Sequence, residues 1–194
     1  MISNNDRSGY FGASDTSMVV ASSRTTKSFK QWWAVKMGDM ESDFKGSWAT
    51  DAGNRYEHPI LDSISEKIMK DRQIIIEPLK LRVNYDGDLR GTIYEVKTYR
   101  SDKVFAVSKA YWRQAQVEMY AYKEMQEELK LPPFKKLYIV SYPLYPDEYN
   151  AQEITIDPSR LRFEPINYDK TFIKEQFLPE IKHLARCLKK RKMP

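Results

Sequence analysis

The feature that most constrains the fold is a pair of alternating apolar runs, Leu79–Asp86 and Thr92–Thr98, separated only by Gly87–Gly91. Alternation at period two is strand patterning, and a hairpin-sized connection makes the two strands antiparallel neighbours. A third run, Gln73–Glu77, precedes them, so a three-stranded meander is expected. A long helical pattern follows at Ser108–Leu129 and stops before Pro132-Pro133. The next strand, Lys135–Tyr142, has room for a crossover before it and can lie parallel to its neighbour. A closing strand is expected at Gln152–Ile156. Upstream, residues 14–21 read as a short helix capped by Ser14 or Asp15, and residues 26–37 as an amphipathic helix stopped by Gly38. A longer pattern runs from Ser47 to Lys70, with a kink expected at Pro59. A last helix, from Lys170 to Lys190, ends in a basic tail that reads as a solvated helix end. The order predicts an α+β fold, a central mixed β-sheet flanked by α-helices, in one domain over residues 1–194.

Composition narrows the function classes. A chain of 194 residues with 41% hydrophobic content can bury one sizeable core. A net charge of +5 suits a polyanionic partner without demonstrating one. The single cysteine, Cys187, rules out an internal disulfide, and there is no Cys/His cluster with zinc spacing. His58 and His183 are too far apart in sequence to suggest a catalytic triad or a histidine-based metal site. No apolar run approaches the roughly 20 residues of a membrane span. The opening Met1–Asp6 lacks the basic start and apolar core of a signal peptide, so a cytoplasmic, reduced protein is expected.

Several polar residues break the apolar pattern. Alternation puts Ile93, Glu95 and Lys97 on one face of their strand. In the preceding strand Leu79, Leu81, Val83 and Tyr85 share a face, and Lys80, Arg82, Asn84 and Asp86 share the other. Asp86 and Glu95 can therefore meet across the hairpin. Two carboxylates brought together repel, and a divalent cation removes the conflict. An all-oxygen ligand set suits Mg²⁺ or Mn²⁺ rather than zinc. The plainer reading is a solvated Glu–Lys hairpin face. Asp88 competes with Asp86 for the ligand role. Glu57 falls on the stripe of Gly53, Ile60, Leu61 and Ile64, where a carboxylate is costly unless something satisfies it. Either it points at the same centre, or it pairs with Arg55 or Lys97 at the surface. Gln114 sits on the otherwise small or apolar stripe of Ala110, Val117, Ala121 and Met125. It is either a structural amide tying helix to strand or a polar hand beside metal or phosphate. Tyr111 lies one turn before it. Arg7 and Ser14, the latter at a helix start, can form an anion pocket.

Taken in order, these segments resemble the lambda-exonuclease/YqaJ-type viral recombinase nucleases of the PD-(D/E)xK superfamily. Arg7–Ser14 is similar to the family's N-terminal Arg…(Gly/Ala)-Ser element. Ala52-Gly53-Asn54-Arg55-Tyr56-Glu57 resembles its G-x-x-x-E helix. Asn84-Tyr85-Asp86-Gly87 stands where the family has Ser-Pro-Asp-Gly, with Tyr85 replacing the usual proline. Glu95-Val96-Lys97 matches E-x-K, and Tyr111-Trp112-Arg113-Gln114-Ala115-Gln116 resembles Y-x-x-Q-x-Q. No single element is specific, but the ordered set spans residues 7 to about 122.

The resemblance implies a restriction-endonuclease-like core that hydrolyses phosphodiester bonds. It implies that Asp86, Glu95, the Val96 carbonyl and Glu57 hold Mg²⁺, with Mn²⁺ as a substitute. Lys97 and Gln114 complete the catalytic set, while Arg7, Ser14 and Tyr111 face the substrate. The substrate implied is linear double-stranded DNA with a 5′-phosphate, cut 5′→3′ to leave a 3′ single strand for phage-type recombination. A ring-shaped homotrimer, a single-strand annealing partner and a bacterial host cytoplasm are implied as well. A related endonuclease, a single-strand nuclease and a non-catalytic DNA-binding module remain the alternatives.

Overall fold

The computed structural model describes residues 8–41, 46–151 and 154–194. After a 3₁₀ turn at Ala13–Asp15, the helices are α1 (Thr16–Val19), α2 (Lys27–Met37), α3 (Trp48–Ile64), α4 (Lys109–Met125) and α5 (Leu178–Lys189). The strands are β1 (Met69–Ile76), β2 (Leu81–Leu89), β3 (Thr92–Arg100), β4 (Lys136–Leu144) and β5 (Arg162–Ile166). They form one five-stranded sheet in chain order. β1, β2 and β3 are an antiparallel meander, β4 lies parallel to β3, and β5 returns antiparallel. α4 makes the crossover that parallel pairing requires. The expected α+β architecture is therefore the one observed.

Local chemistry explains where the longer helices begin. Thr26, Ser47 and Ser108 each accept a hydrogen bond from the backbone N–H three residues on, at 3.1–3.2 Å. α2 ends where Gly38 turns left-handed at φ 73°. The expected helix to Lys70 is shorter: Ser65 is extended, α3 stops at Ile64, and Met69 opens β1. Pro59 lies inside α3 without ending it.

Other boundaries differ from expectation too: β1 opens at Met69 rather than Gln73, α4 ends at Met125 rather than Leu129, and α5 begins at Leu178, after a π-helical stretch at Phe172–Phe177. The strands of the hairpin run on to Leu89↔Thr92, leaving only Arg90-Gly91 as a loop with both φ positive. The closing strand is Arg162–Ile166, not Gln152–Ile156. Residues 152 and 153 lie outside the described residues, and 154–156 carry no strand. β5 is an edge strand with Pro165 in it and Ile166 as its one buried residue, so it shows no alternation to read.

The sheet separates two cores. On one face Val83, Tyr85, Ile93 and Ile139 pack with residues of α2, α4 and α5. On the other, Val96, Val140 and Tyr142 pack under Tyr56, Ile60 and Leu61 of α3. Among the described residues no helix is long and apolar enough to cross a membrane.

Candidate active site

The backbone ladder between β2 and β3 stops at Gly87↔Tyr94. Beyond that pair the sheet forks, with β2 staying on β1 and β3 staying on β4. Asp86 sits in the fork, where its carboxylate accepts the Val96 N–H at 2.7 Å. Strict alternation places Gly87 beside Tyr85 and Asp88 opposite, and this expectation fails. Gly87's open side faces Leu61 and Ile68 of the α3 core. Asp88's charge instead acts on Tyr85 and Tyr122, on the α4 side. The period slips opposite Asp71, a non-glycine residue at φ 54° where the β1–β2 ladder skips one pair while keeping its register. The slip also separates the two candidate aspartates. Asp88 is buried in an ion pair with Arg72 at 2.6 Å, which leaves Asp86 facing the other acids.

Glu95, on β3, is buried. Its Oε1 accepts from Lys97 Nζ at 2.5 Å and from Gln114 Nε2 at 2.5 Å. Burial works against the charge of Lys97, but the Glu95 and Asp86 carboxylates outweigh it and hold the ammonium protonated above its ordinary range. The Tyr111 ring lies 5.1 Å from that ammonium. The fully buried Glu118, one turn beyond Gln114 on α4, joins this group: Gln114 Nε2 also donates to its Oε1 at 2.8 Å. Sequence reading missed Glu118. The signal was its place at i+4 from Gln114, on the same helix face. Gln116 is structural, donating to the Asn167 carbonyl and accepting the Asp169 N–H.

The acids strain one another electrostatically. Burial, then the Glu95 charge, pushes Glu57 up to about 7. Burial, then Glu95 and Glu57, lifts Asp86 well above the usual carboxylate range, and burial, then Glu95, lifts Glu118. Glu95 Oε2 and Glu118 Oε2 are buried and meet no donor among the described residues. An oxygen-rich centre of this kind, with a buried Glu95 oxygen that no described donor satisfies, fits a hard divalent cation, which would also relieve the repulsion.

Glu57 belongs to a second grouping as well. With His58 and Asp71 it offers three ligand atoms within 4.8 Å of one another. The His58 ring lies 3.0 Å from Asp71. The expectation that neither histidine takes part in a metal-competent group is thus corrected for His58. The sequence could not reveal it, because Asp71 arrives at the start of β1 only through the turn after α3.

Of the two residues expected to form an anion pocket, Ser14 alone lies among the described residues. Ser14 is exposed on the 3₁₀ turn and lines a cavity of about 130 Å³ with Asp15, Lys36, Arg82, Asn84 and Gln114. Arg7 lies outside the described residues. α1 is a single turn, so the cavity's positive charge comes from Lys36 and Arg82 rather than from a helix end. Lys36 is buried and paired with Asp15 at 2.6 Å.

This fold is shared by solved exonucleases. The alkaline exonuclease LHK-Exo of Laribacter hongkongensis superposes with a TM-score of 0.64 at 16% identity, over 94% of this chain and 89% of that one. The same enzyme in complex with dAMP gives the same figures. A phage-related exonuclease from Haemophilus somnus 129PT gives 0.61 at 15% identity, covering 94% of both chains. No family model matches the sequence, and no curated protein does. At such identities the likeness is one of fold: a restriction-endonuclease-like α+β core with the mixed sheet and flanking helices described above.

Proposed function

We propose that this chain is a Mg²⁺-dependent deoxyribonuclease acting as a 5′→3′ exonuclease on linear double-stranded DNA. The observation that carries the reading is the fork itself, where Asp86, Glu95 and Lys97 converge at the edge of the α3 and α4 helices. Asp86, Glu95, the Val96 carbonyl and Glu57 would hold the cation, with Mn²⁺ able to replace Mg²⁺. When bound, such a cation lowers the pKa of a coordinated water and offsets charge on the scissile phosphate.

The remaining chemistry belongs to the chain. Lys97 is a fixed positive charge, held by Glu95 and the Tyr111 face, that orients the attacking water and stabilises negative charge developing on phosphate. Gln114 holds the Glu95 carboxylate in place. The cavity lined by Ser14, Lys36 and Arg82 would receive the 5′-phosphate, with Arg7 proposed as a further partner, and so make cutting depend on an end. The exonuclease names of the structural neighbours support the same chemistry. A 3′ single-stranded product, an annealing-protein partner, a trimeric ring and a role in phage-type recombination complete the reading.

Incubation of 5′-phosphorylated linear duplex with Mg²⁺ tests it. Digestion from the 5′ ends, lost in Lys97→Ala, is the expected result. No digestion, or equal digestion by Lys97→Ala, overturns it. Nicking of closed circular DNA would turn the assignment to an endonuclease.

A further inference from the structure

Glu118 is the buried acid for which the proposed chemistry has no use. It is fully buried, accepts from Gln114 and lies within hydrogen-bonding reach of the Glu95 carboxyl. Such a carboxylate in the middle of α4 is expensive, so a compensating role is expected. Gln114 supplies one. Its single nitrogen donates both to Glu95 Oε1, at 2.5 Å, and to Glu118 Oε1, at 2.8 Å. An amide nitrogen has two hydrogens, and two carboxylates take both. The opposite orientation would set the amide's carbonyl oxygen against the Glu95 oxygen that already accepts from Lys97. Gln114 also lines the cavity that holds Ser14, Lys36 and Arg82. The hydrogen-bonding atom it retains for that cavity is an acceptor, Oε1.

We infer that Glu118 is a positioning residue that locks the Gln114 amide, so that Gln114 fixes Glu95 and offers the neighbouring cavity an acceptor instead of a donor. The inference rests on the proposed function only where Glu95 is taken as a metal ligand; the lock stands apart from it. It has a consequence for recognition. A phosphate entering the cavity takes its donors from Ser14, Lys36 and Arg82, and Gln114 contributes none. From the DNA end itself Gln114 can accept only a hydroxyl proton, whether from a 5′-OH or from a singly protonated phosphate.

The experiment compares Glu118→Leu, Glu118→Gln, Gln114→Ala and the double variant Glu118→Leu/Gln114→Ala. Two readouts are used: the side-chain amide resonances of Gln114 in ¹⁵N NMR, and Mg²⁺ and Mn²⁺ affinity by calorimetry, with thermal melting to establish that each variant is folded. Leucine fills the same volume without an acceptor. It is expected to shift and broaden the Gln114 amide pair and to weaken metal binding about tenfold, the usual cost of losing an outer partner of a ligand. Glutamine keeps an Oε1 acceptor and is expected to restore the resonances and most of the affinity. The double variant is expected to bind metal no more weakly than Gln114→Ala alone, because both changes break one chain of contacts. Unchanged Gln114 resonances in Glu118→Leu overturn the inference, as do additive losses in the double variant or a Glu118→Gln as impaired as Glu118→Leu. If the wild-type protein binds no metal, the proposed function fails, while the NMR comparison still decides the lock.

Discussion

At the scale of single residues, the fork is a set of charges arranged against their own comfort. Glu57 at about 7, against an ordinary 4.5, binds protons in the folded state that the unfolded chain has already released. The sign follows from linkage: between pH 4.5 and 7 the native state holds more protons, so metal-free stability falls as pH rises through that window and levels off above it. For this group the loss is at most about 3 kcal/mol. Chemical denaturation of metal-free protein from pH 4.5 to 8 is expected to show that decline, and Glu57→Gln is expected to lessen it while leaving the share of Asp86 and Glu118. Lys97 makes a different prediction. Its side chain neutralises Glu95 without being a ligand, so Lys97→Ala should cut the turnover of 5′-phosphorylated duplex by at least about a hundredfold, the usual scale for loss of one charge-stabilising group. Calorimetry should show that the same variant still binds Mg²⁺. That Asp86 would lie beside the Glu95–Lys97 segment was legible in the sequence, because a short hairpin brings those two stretches together. Glu118 and the His58–Asp71 pair were not. Periodicity marks a face of a helix, but it does not say which charged residue on that face is roofed over by a strand.

At the scale of elements, the connections are tighter than their sequences suggest. Gly91 sits at φ 87°, and a Cβ there would fall 2.0 Å from the Pro133 carbonyl oxygen. Backbone cannot yield as a side-chain tip can, so Gly91→Ala is expected to cost several kcal/mol, on the order of other strained or overpacked substitutions, and to lower the melting midpoint sharply. Gly53 is milder: its Cβ would lie 3.2 Å from the Thr98 hydroxyl, where α3 packs on β3. Gly53→Ala should therefore displace Glu57 slightly and weaken metal binding more than it weakens the fold, which calorimetry and melting on one sample can compare. The meander and the α4 crossover could be read in advance because alternation and helix length are local properties. β5 could not, since an exposed edge strand containing Pro165 has no apolar period. The slip between Tyr85 and Asp88 was equally hidden, because the left-handed residue opposite it, Asp71, lies on the neighbouring strand.

At the scale of the whole molecule, α3, β2, β3 and α4 each bring acidic or cationic groups to one place, so a bound cation should fasten the fold as well as serve chemistry. At a concentration one hundred times its Kd, Mg²⁺ should add about 2.7 kcal/mol of stability. For a chain of this size that raises the melting midpoint by roughly 5–10 °C. The rise should be larger at pH 8 than at pH 5.5, where protons compete, and absent in Glu95→Gln. A flat response at pH 8 would contradict the carboxylate assignment. The fork adds a consequence for how such experiments are designed. Only three ladder pairs, Gly87↔Tyr94 through Leu89↔Thr92, join the β1–β2 half of the sheet to the β3–β4–β5 half. Just past Gly87↔Tyr94, the Asp86 side chain takes the Val96 N–H and continues the seam by one stitch. An alanine at this position would open the seam while deleting the acid, and an inactive Asp86→Ala protein would report two injuries as one. Asparagine keeps a carbonyl oxygen for Val96, so Asp86→Asn is the substitution that isolates the loss of charge.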